Sequence, residues 1–356
     1  MFGFSVFLNE DLTKDYEDYI FKMKQAGFQG IFTSIHIPED NPQYYLSLLE
    51  HLGKIAKQFD LDLTIDVSAN ALDQIGVTYD NLSPLVNLGV TAVRVDYGVS
   101  YQDIYTISQQ MKVVLNASTL TTEDVEQLGA LSVDFSQLEA WHNYYPRPET
   151  GLDKRPFIQL NQWLRNLGMK VMAFVSGDGQ KRGPLYEGLP SLEEHRNAHS
   201  LAASFELLEE CAVDKVYIGD PMISPYTLMQ WEKYLQEKII YFEVDRFIQD
   251  QGQLNHIRGR HHQRPDLARD VVRSQEGRLT KSIDVMPLNP SSRKIGSVTI
   301  DNQKYDRYEG EIQITKTELP QDDKVNVVGR IQGRDLALLN YIGPNQAFEI
   351  NWKEGE

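Results

Sequence analysis

Eight short runs rich in β-branched and aromatic residues punctuate the first two thirds of this 356-residue chain. They are Phe2–Leu8, Gly30–Ile37, Asp62–Val67, Ala92–Asp96, Lys112–Leu115, Ser136–Glu139, Lys170–Val175 and Lys215–Ile218. Longer amphipathic stretches lie between them, among them Asp15–Ala26, Pro42–Phe59, Tyr101–Gln109, Phe157–Asn166, Leu192–Glu210 and Pro225–Leu235. Strictly alternating strand and helix requires parallel strands joined by crossovers. Eight such units in succession predict an α/β fold of the (β/α)8 TIM-barrel kind rather than an open sheet. No glycine-rich dinucleotide fingerprint follows the first strand, which also disfavours the open, doubly wound alternative. The strings Q-A-G-F-Q-G, N-L-G-V and N-L-G-M each read as a helix stop, with glycine at the cap.

The texture changes near residue 236. Strand-like pieces follow at Lys238–Val244, Ser297–Ile300, Arg307–Ile314, Val325–Ile331 and Ala347–Ile350, with Asp301–Lys304 reading as a hairpin turn. The expected organisation is a TIM-barrel domain over 1–236 and a small, mostly β domain over 237–356. A net charge of −16 argues against nucleic acid or an anionic membrane as partner. A lone cysteine, Cys211, leaves no internal disulfide and suits a reducing cytoplasm. The N-terminus has neither the basic nor the long apolar region of a secretion signal, and no apolar run is long enough to span a bilayer. A cytoplasmic location is therefore expected.

In a parallel barrel the chemistry sits in the loops after the strands. His36, Glu39 and Asp40 follow the second run; Asp66, Ser68 and Asn70 close the third; Arg94, Asp96 and Tyr97 close the fourth. Asn116 and Ser118 follow the fifth, and Glu139, His142, Asn143, Tyr144, Tyr145 and Arg147 the sixth. The seventh run leads to Ser176, Asp178, Lys181, Arg182, Tyr186 and Glu187, and the eighth to Asp220. A rim of acids suits a glycosidase, whose paired carboxyls flank an oxocarbenium-like transition state. The aromatics Trp141, Tyr144, Tyr145, Tyr97 and Tyr186 suit the C–H face of a pyranose. Lys181 and Arg182, just after the turn S-G-D-G, suit a phosphate. Arg147 and the basic loop Asn255–Arg264 are rival anion ligands. Each acid can also serve structure alone, by capping a helix or pairing with a base. His36, His142 and Asp220 could ligate a metal, but no established metal-ligand spacing is present, so neither metal nor cofactor is expected.

The strings G-F-S-V-F, I-F-T-S-I-H-I-P-E, V-R-V-D-Y-G, H-N-Y-Y-P-R-P-E-T-G-L and R-G-P-L-Y-E-G-L-P-S-L-E-E-H-R carry a more specific signal. Through them the chain resembles, over essentially its whole length, the bacterial 6-phospho-N-acetylmuramidases of the MupG type. The resemblance implies a TIM-barrel glycoside hydrolase with a small cyclophilin-like β domain. It implies cleavage of the β-1,4 bond of N-acetylmuramic acid 6-phosphate–N-acetylglucosamine, a step of peptidoglycan recycling inside the cell. The partner is then a small phosphorylated amino-sugar disaccharide.

Reading the residues themselves, Glu139 or Glu39 is the expected general acid, with Asp96 or Asp66 as its partner. Attack by the substrate's own acetamido oxygen is the variant. Arg94, Tyr97, Asn116, His142, Asn143, Tyr145, Arg147 and Glu187 are expected to bind sugar, and Lys181 and Arg182 to bind phosphate. Two other classes stand beside the hydrolase: a metal-dependent sugar-phosphate isomerase or aldolase, and a sugar-phosphate binding protein without catalysis.

Overall fold

The computed structural model describes residues 1–8, 12–35, 42–67, 77–95, 98–277, 279–280 and 283–353. Two compact units divide the chain, Met1–Leu228 and Met229–Glu356.

The first unit is a closed barrel of eight parallel strands in sequential order. They are β1 (Phe2–Ser5), β2 (Gly30–Ile35), β3 (Asp62–Val67), β4 (Ala92–Val95), β5 (Lys112–Asn116), β6 (Leu138–Trp141), β7 (Lys170–Val175) and β8 (Lys215–Ile218). β8 closes on β1 through the register Val216 against Phe2. Among the described crossovers are α1 (Lys14–Ala26), α2 (Pro42–Gln58), α3 (Ser83–Leu88), α4 (Tyr101–Ser108), α5 (Thr122–Ala130), α6 (Lys154–Asn166) and α7 (Ser200–Glu209). Local chemistry sets their ends. Thr13 caps α1 by accepting from the Tyr16 N–H, and Thr121 with Asp124 forms a capping box on α5. α1 and α3 stop at Gly27 and Gly89, whose φ of 108° and 100° are left-handed values that a side chain resists.

The barrel interior is filled rather than hollow. Phe32, Trp141, Met172, Phe174 and Tyr217 pack together with Ala92 and Val114. Trp141 and Tyr217 lie 4.9 Å apart, ring centroid to ring centroid. Tyr217 fits because β1 and β2 carry glycine beside it. A Cβ on Gly3 would lie 2.3 Å from its ring, and one on Gly30 2.2 Å from its hydroxyl. Full burial of each large apolar side chain contributes roughly 1.5–3 kcal/mol before conformational entropy is charged against it.

Register decides what reaches the mouth, and β6 departs from expectation. Asp134 accepts from the Ser136 N–H at 2.9 Å and caps a single 3-10 turn over Phe135–Gln137. The strand therefore begins at Leu138, later than the sequence pattern suggested. Glu139 becomes its second residue, beside Lys170 at the start of β7.

The second unit carries a seven-stranded sheet in the order β10-β15-β9-β14-β12-β13-β11. Its strands are β9 (Ile239–Arg246), β10 (Gly259–His262), β11 (Val271–Arg273), β12 (Ser297–Asp301), β13 (Ile312–Thr315), β14 (Val325–Ile331) and β15 (Ala347–Trp352). Asp301–Lys304 is not the tight hairpin that its composition suggested. Asn302 accepts from the Lys304 N–H and opens a 3-10 stretch, Gln303–Tyr308, before β13.

Candidate active site

Among the described residues, three cavities and a smaller recess open around the C-terminal ends of the barrel strands. The central one, about 330 Å³, is lined among the described residues by Phe32, Asp66, Arg94, His142, Asn143, Tyr144, Tyr145 and Phe174. β3 and β4 present its charged pair: Arg94 Nη1 donates to Asp66 Oδ2 at 3.0 Å. Arg94 Nη2 donates to Asn143 Oδ1, the side-chain amide oxygen, at 2.5 Å. The guanidinium is buried, and its Nε has no hydrogen-bond partner among the described residues. A fork held at both amino groups by neighbours from β3 and the loop after β6 is fixed in orientation.

His142 forms part of the same wall and is neutral. Burial pushes its pKa down to about 4, against the opposing effect of the Asn161 hydrogen bond. Asn161 gives its amide N–H to the Cys211 carbonyl at 2.8 Å, so its oxygen faces His142 Nε2 at 2.6 Å. That orientation assigns the ring proton to Nε2. Nδ1 is left a bare acceptor, buried and without a partner among the described residues.

The second cavity, about 540 Å³, lies beside the first on the β7–β8–β1 side. Phe7, Leu12, Thr13, Asp15 and Tyr16 contribute after β1, Gln180, Lys181, Arg182, Gly183 and Tyr186 after β7, and Pro221 and Met222 after β8. Arg182 joins the two cavities. Its Nη1 donates to the Tyr144 hydroxyl at 2.9 Å, and its guanidinium carbon sits 4.4 Å from the centre of the Phe7 ring. Lys181 donates to the Gly177 carbonyl at 2.5 Å and stands 3.5 Å from Asp220. Tyr186, 68% exposed, stands over this cavity with a left-handed φ of 56°. Strain of this kind concentrates where a loop is shaped for a ligand. Glu187 borders a smaller recess, about 310 Å³, with Pro146, Arg182 and Pro184.

A third cavity of about 500 Å³ lies between the loops after β4 and β5. Its lining includes Tyr101, Asn116, Leu120 and Asp124.

Several expected site residues serve the scaffold instead. Glu139 is corrected most sharply. It is buried at the strand starts, where Lys215 Nζ donates to it at 2.6 and 2.8 Å and the Trp141 indole N–H at 2.8 Å. Lys112 adds a second cation at 3.3 Å. Burial alone would raise its pKa, but these cations and the indole outweigh burial and hold it below the usual carboxylate value. That is the reverse of what a general acid needs. Trp141 is core, 1% exposed, and offers no face to a sugar. Asp220 anchors loops: one oxygen accepts from the Gly177 and Leu189 N–H groups at 2.8 and 3.1 Å, and burial raises its pKa despite Lys181 nearby. Asp178 accepts from the Ser224 N–H and from the Ser224 and Thr227 hydroxyls. Arg147 is exposed and donates weakly to its neighbour's carbonyl at 3.4 Å. The residues after the third strand, and those expected to carry His36, Glu39, Asp40, Asp96 and Tyr97, lie outside the described set. Among the described residues the expected rim of acids reduces, at the central cavity, to Asp66.

The pair that shapes the mouth was not singled out by the sequence. Arg196 is buried and donates to the Tyr145 and Gly188 carbonyls at 2.8 and 2.7 Å. It also binds both oxygens of Glu193, at 2.7 and 2.5 Å. Glu193 in turn accepts from the Glu149 and Gly151 N–H groups at 2.9 and 2.7 Å. The two residues staple the loop after β6 to the loop after β7. The string L-E-E-H-R held both partners at helical spacing, but nothing in it named the carbonyls they would reach.

The N-terminal family model of 6-phospho-N-acetylmuramidase matches residues 2–233, and the C-terminal model of the same enzyme matches residues 240–351. Among solved structures, a conserved protein of unknown function from Enterococcus faecalis is 45% identical. The match covers 99% of this chain and 96% of that one, with a TM-score of 0.92. An uncharacterised B. cereus protein is 26% identical over 98% of this chain and 99% of that one, with a TM-score of 0.75. A search of curated proteins gave no match.

Proposed function

The chain belongs to the 6-phospho-N-acetylmuramidase family, and we propose that its barrel mouth hydrolyses the β-1,4 bond between N-acetylmuramic acid 6-phosphate and N-acetylglucosamine. The observation that carries this reading is the contact between Arg182 and Tyr144. It joins a cavity holding a carboxylate, an amide and aromatic rings to one holding two cations. A 6-phosphorylated sugar needs both at once: rings and hydrogen-bonding groups for the pyranose, and cations for the phosphate. The overall charge of −16 makes a local cationic pocket the more telling.

Asp66 is the partner carboxylate in this reading. Paired with Arg94 it is suited to accept a proton, or to stabilise the cationic sugar, rather than to donate one. The general acid then falls to Asp96 or Glu39, which follow β4 and β2 in sequence. Arg94, Asn143 and Tyr145 bind sugar, with the buried His142 packed behind them; Lys181 and Arg182 bind the 6-phosphate. The intracellular recycling of cell-wall fragments is the setting that supplies such a disaccharide.

The test is direct. Purified protein is incubated with the phosphorylated disaccharide in chelator, and the products are followed by mass spectrometry. Release of both monosaccharides is expected. An isomerised or cleaved monosaccharide phosphate, or activity abolished by chelator, would point instead to the metal-dependent class. Binding without turnover would leave a sensor.

A further inference from the structure

We propose that the crevice between the loops after β4 and β5 receives the uncharged N-acetylhexosamine on the leaving side of the scissile bond. The inference rests on the hydrolase reading above and adds to it the place of the second sugar.

Barrel closure supplies the first argument. In a ring of eight strands running in order, the β4–β5 junction lies across the mouth from the β8–β1 junction. The cation-bearing cavity belongs to the β7–β8–β1 side. The cavity of Asp66 and Arg94 lies between them. A two-sugar ligand whose phosphate is drawn to Lys181 and Arg182 has its remaining length to place away from that edge.

Charge supplies the second. Among the described residues, the crevice lining, which includes Tyr101, Asn116, Leu120 and Asp124, contains no cation and one carboxylate, Asp124. A phosphate or the lactyl carboxylate would be repelled there. A neutral sugar would not. The polar groups alternate with apolar wall, as a pyranose requires. The Asn116 oxygen is occupied by the Ser118 N–H at 3.1 Å, while its amide N–H2 has no partner among the described residues. That leaves a donor for a sugar hydroxyl or acetamido carbonyl. Among the described residues, a Cβ on Gly98 would meet nothing within 4 Å. At about 500 Å³ the space falls within the range of small-molecule sites.

The boundary between the crevice and the central cavity supplies the third. Tyr145 lines the central cavity, and its hydroxyl lies 3.2 Å from Ser118 Oγ in the loop after β5. A glycosidic bond resting over this pair would place one ring on each side of it.

Saturation-transfer NMR with free N-acetylglucosamine tests the assignment without requiring turnover. The wild-type protein should give a signal that saturating N-acetylmuramic acid 6-phosphate leaves in place. Leu120→Trp, which fills the crevice, should reduce that signal at least five-fold while still binding the phosphorylated sugar. Asn116→Asp, which removes the amide donor but keeps an oxygen for the Ser118 N–H, should weaken it two- to five-fold and serves if the tryptophan variant does not fold. In turnover, Leu120→Trp should lower kcat/KM on the disaccharide by ten-fold or more. No signal from wild type, displacement by the phosphorylated sugar, or a signal unchanged in both variants overturns the subsite. If N-acetylglucosamine binds in the crevice but the disaccharide is not cleaved, the hydrolase reading fails and the subsite stands.

Discussion

The two ends of one barrel each hold a carboxylate against a buried cation, and they do different things. At the strand starts, Glu139 is closed in by Lys215, Lys112 and the Trp141 indole, and both its oxygens are used within the core. At the strand ends, Asp66 pairs with Arg94 on the wall of a cavity of about 330 Å³. The chemistry of the pairs is similar. What differs is whether a ligand can reach them. A carboxylate at the strand start holds the barrel shut, and one at the strand end can act on what enters.

Substitution at the two ends should separate these roles. Asp66→Asn should lower kcat/KM on the phosphorylated disaccharide by about 100-fold or more per folded molecule, near 2.7 kcal/mol of barrier, with a smaller loss of stability than Glu139→Gln because Arg94 keeps Asn143 as a partner. Activity close to wild type in that variant would remove Asp66 from the mechanism. Glu139→Gln should do the opposite. Leaving Lys215 buried without its counter-charge costs roughly 3 kcal/mol of stability, read by urea unfolding, while kcat per folded molecule stays near wild type. A stable Glu139→Gln protein without activity would return that residue to the site.

Arg182→Ala probes the joint between the cavities. KM for the phosphorylated substrate should rise about ten-fold or more, in line with the ~1.5–3 kcal/mol of a hydrogen bond to a charged group, and change far less for the dephosphorylated one. Equal losses on both would show that Arg182 serves only to pack Phe7 and Tyr144.

The smallest expected effect is on pH. Hydrogen bonds from Arg196, with the Glu149 and Gly151 N–H groups, draw Glu193 from its ordinary 4.5 to about 2. A depressed carboxylate stabilises the folded state above its unfolded pKa, so the staple contributes fully above about pH 4.5 and is lost as pH falls toward 2. Hydrogen exchange of the loops at 143–152 and 176–190 should accelerate across that window, and should do so at neutral pH in Glu193→Gln. Unchanged protection would mean that other contacts hold the loops.

Much of the barrel was legible because strand and helix periods differ, and because β3, β7 and β8 are bounded by sharp changes of composition. The errors have one physical source. Asp134 can cap a turn or precede a strand, and pattern alone does not choose; the capped turn shifts β6 two residues along the chain and moves Glu139 from the mouth to the opposite end. Lys181 and Arg182 could be singled out because a glycine turn precedes two adjacent bases. Phe7, which packs under the Arg182 guanidinium, could not, since the two lie 175 residues apart in the chain. Arg196 and Glu193 were visible only as letters in a string, because what they hold are backbone carbonyls and amides of distant loops, and these have no sequence signature.

The most direct test compares kcat/KM for N-acetylmuramic acid 6-phosphate–N-acetylglucosamine with that for the same disaccharide lacking phosphate. The joined cavities predict a preference of at least 100-fold for the phosphorylated form, reduced about ten-fold or more in Arg182→Ala. Equal turnover of the two disaccharides by the wild-type protein would contradict the account.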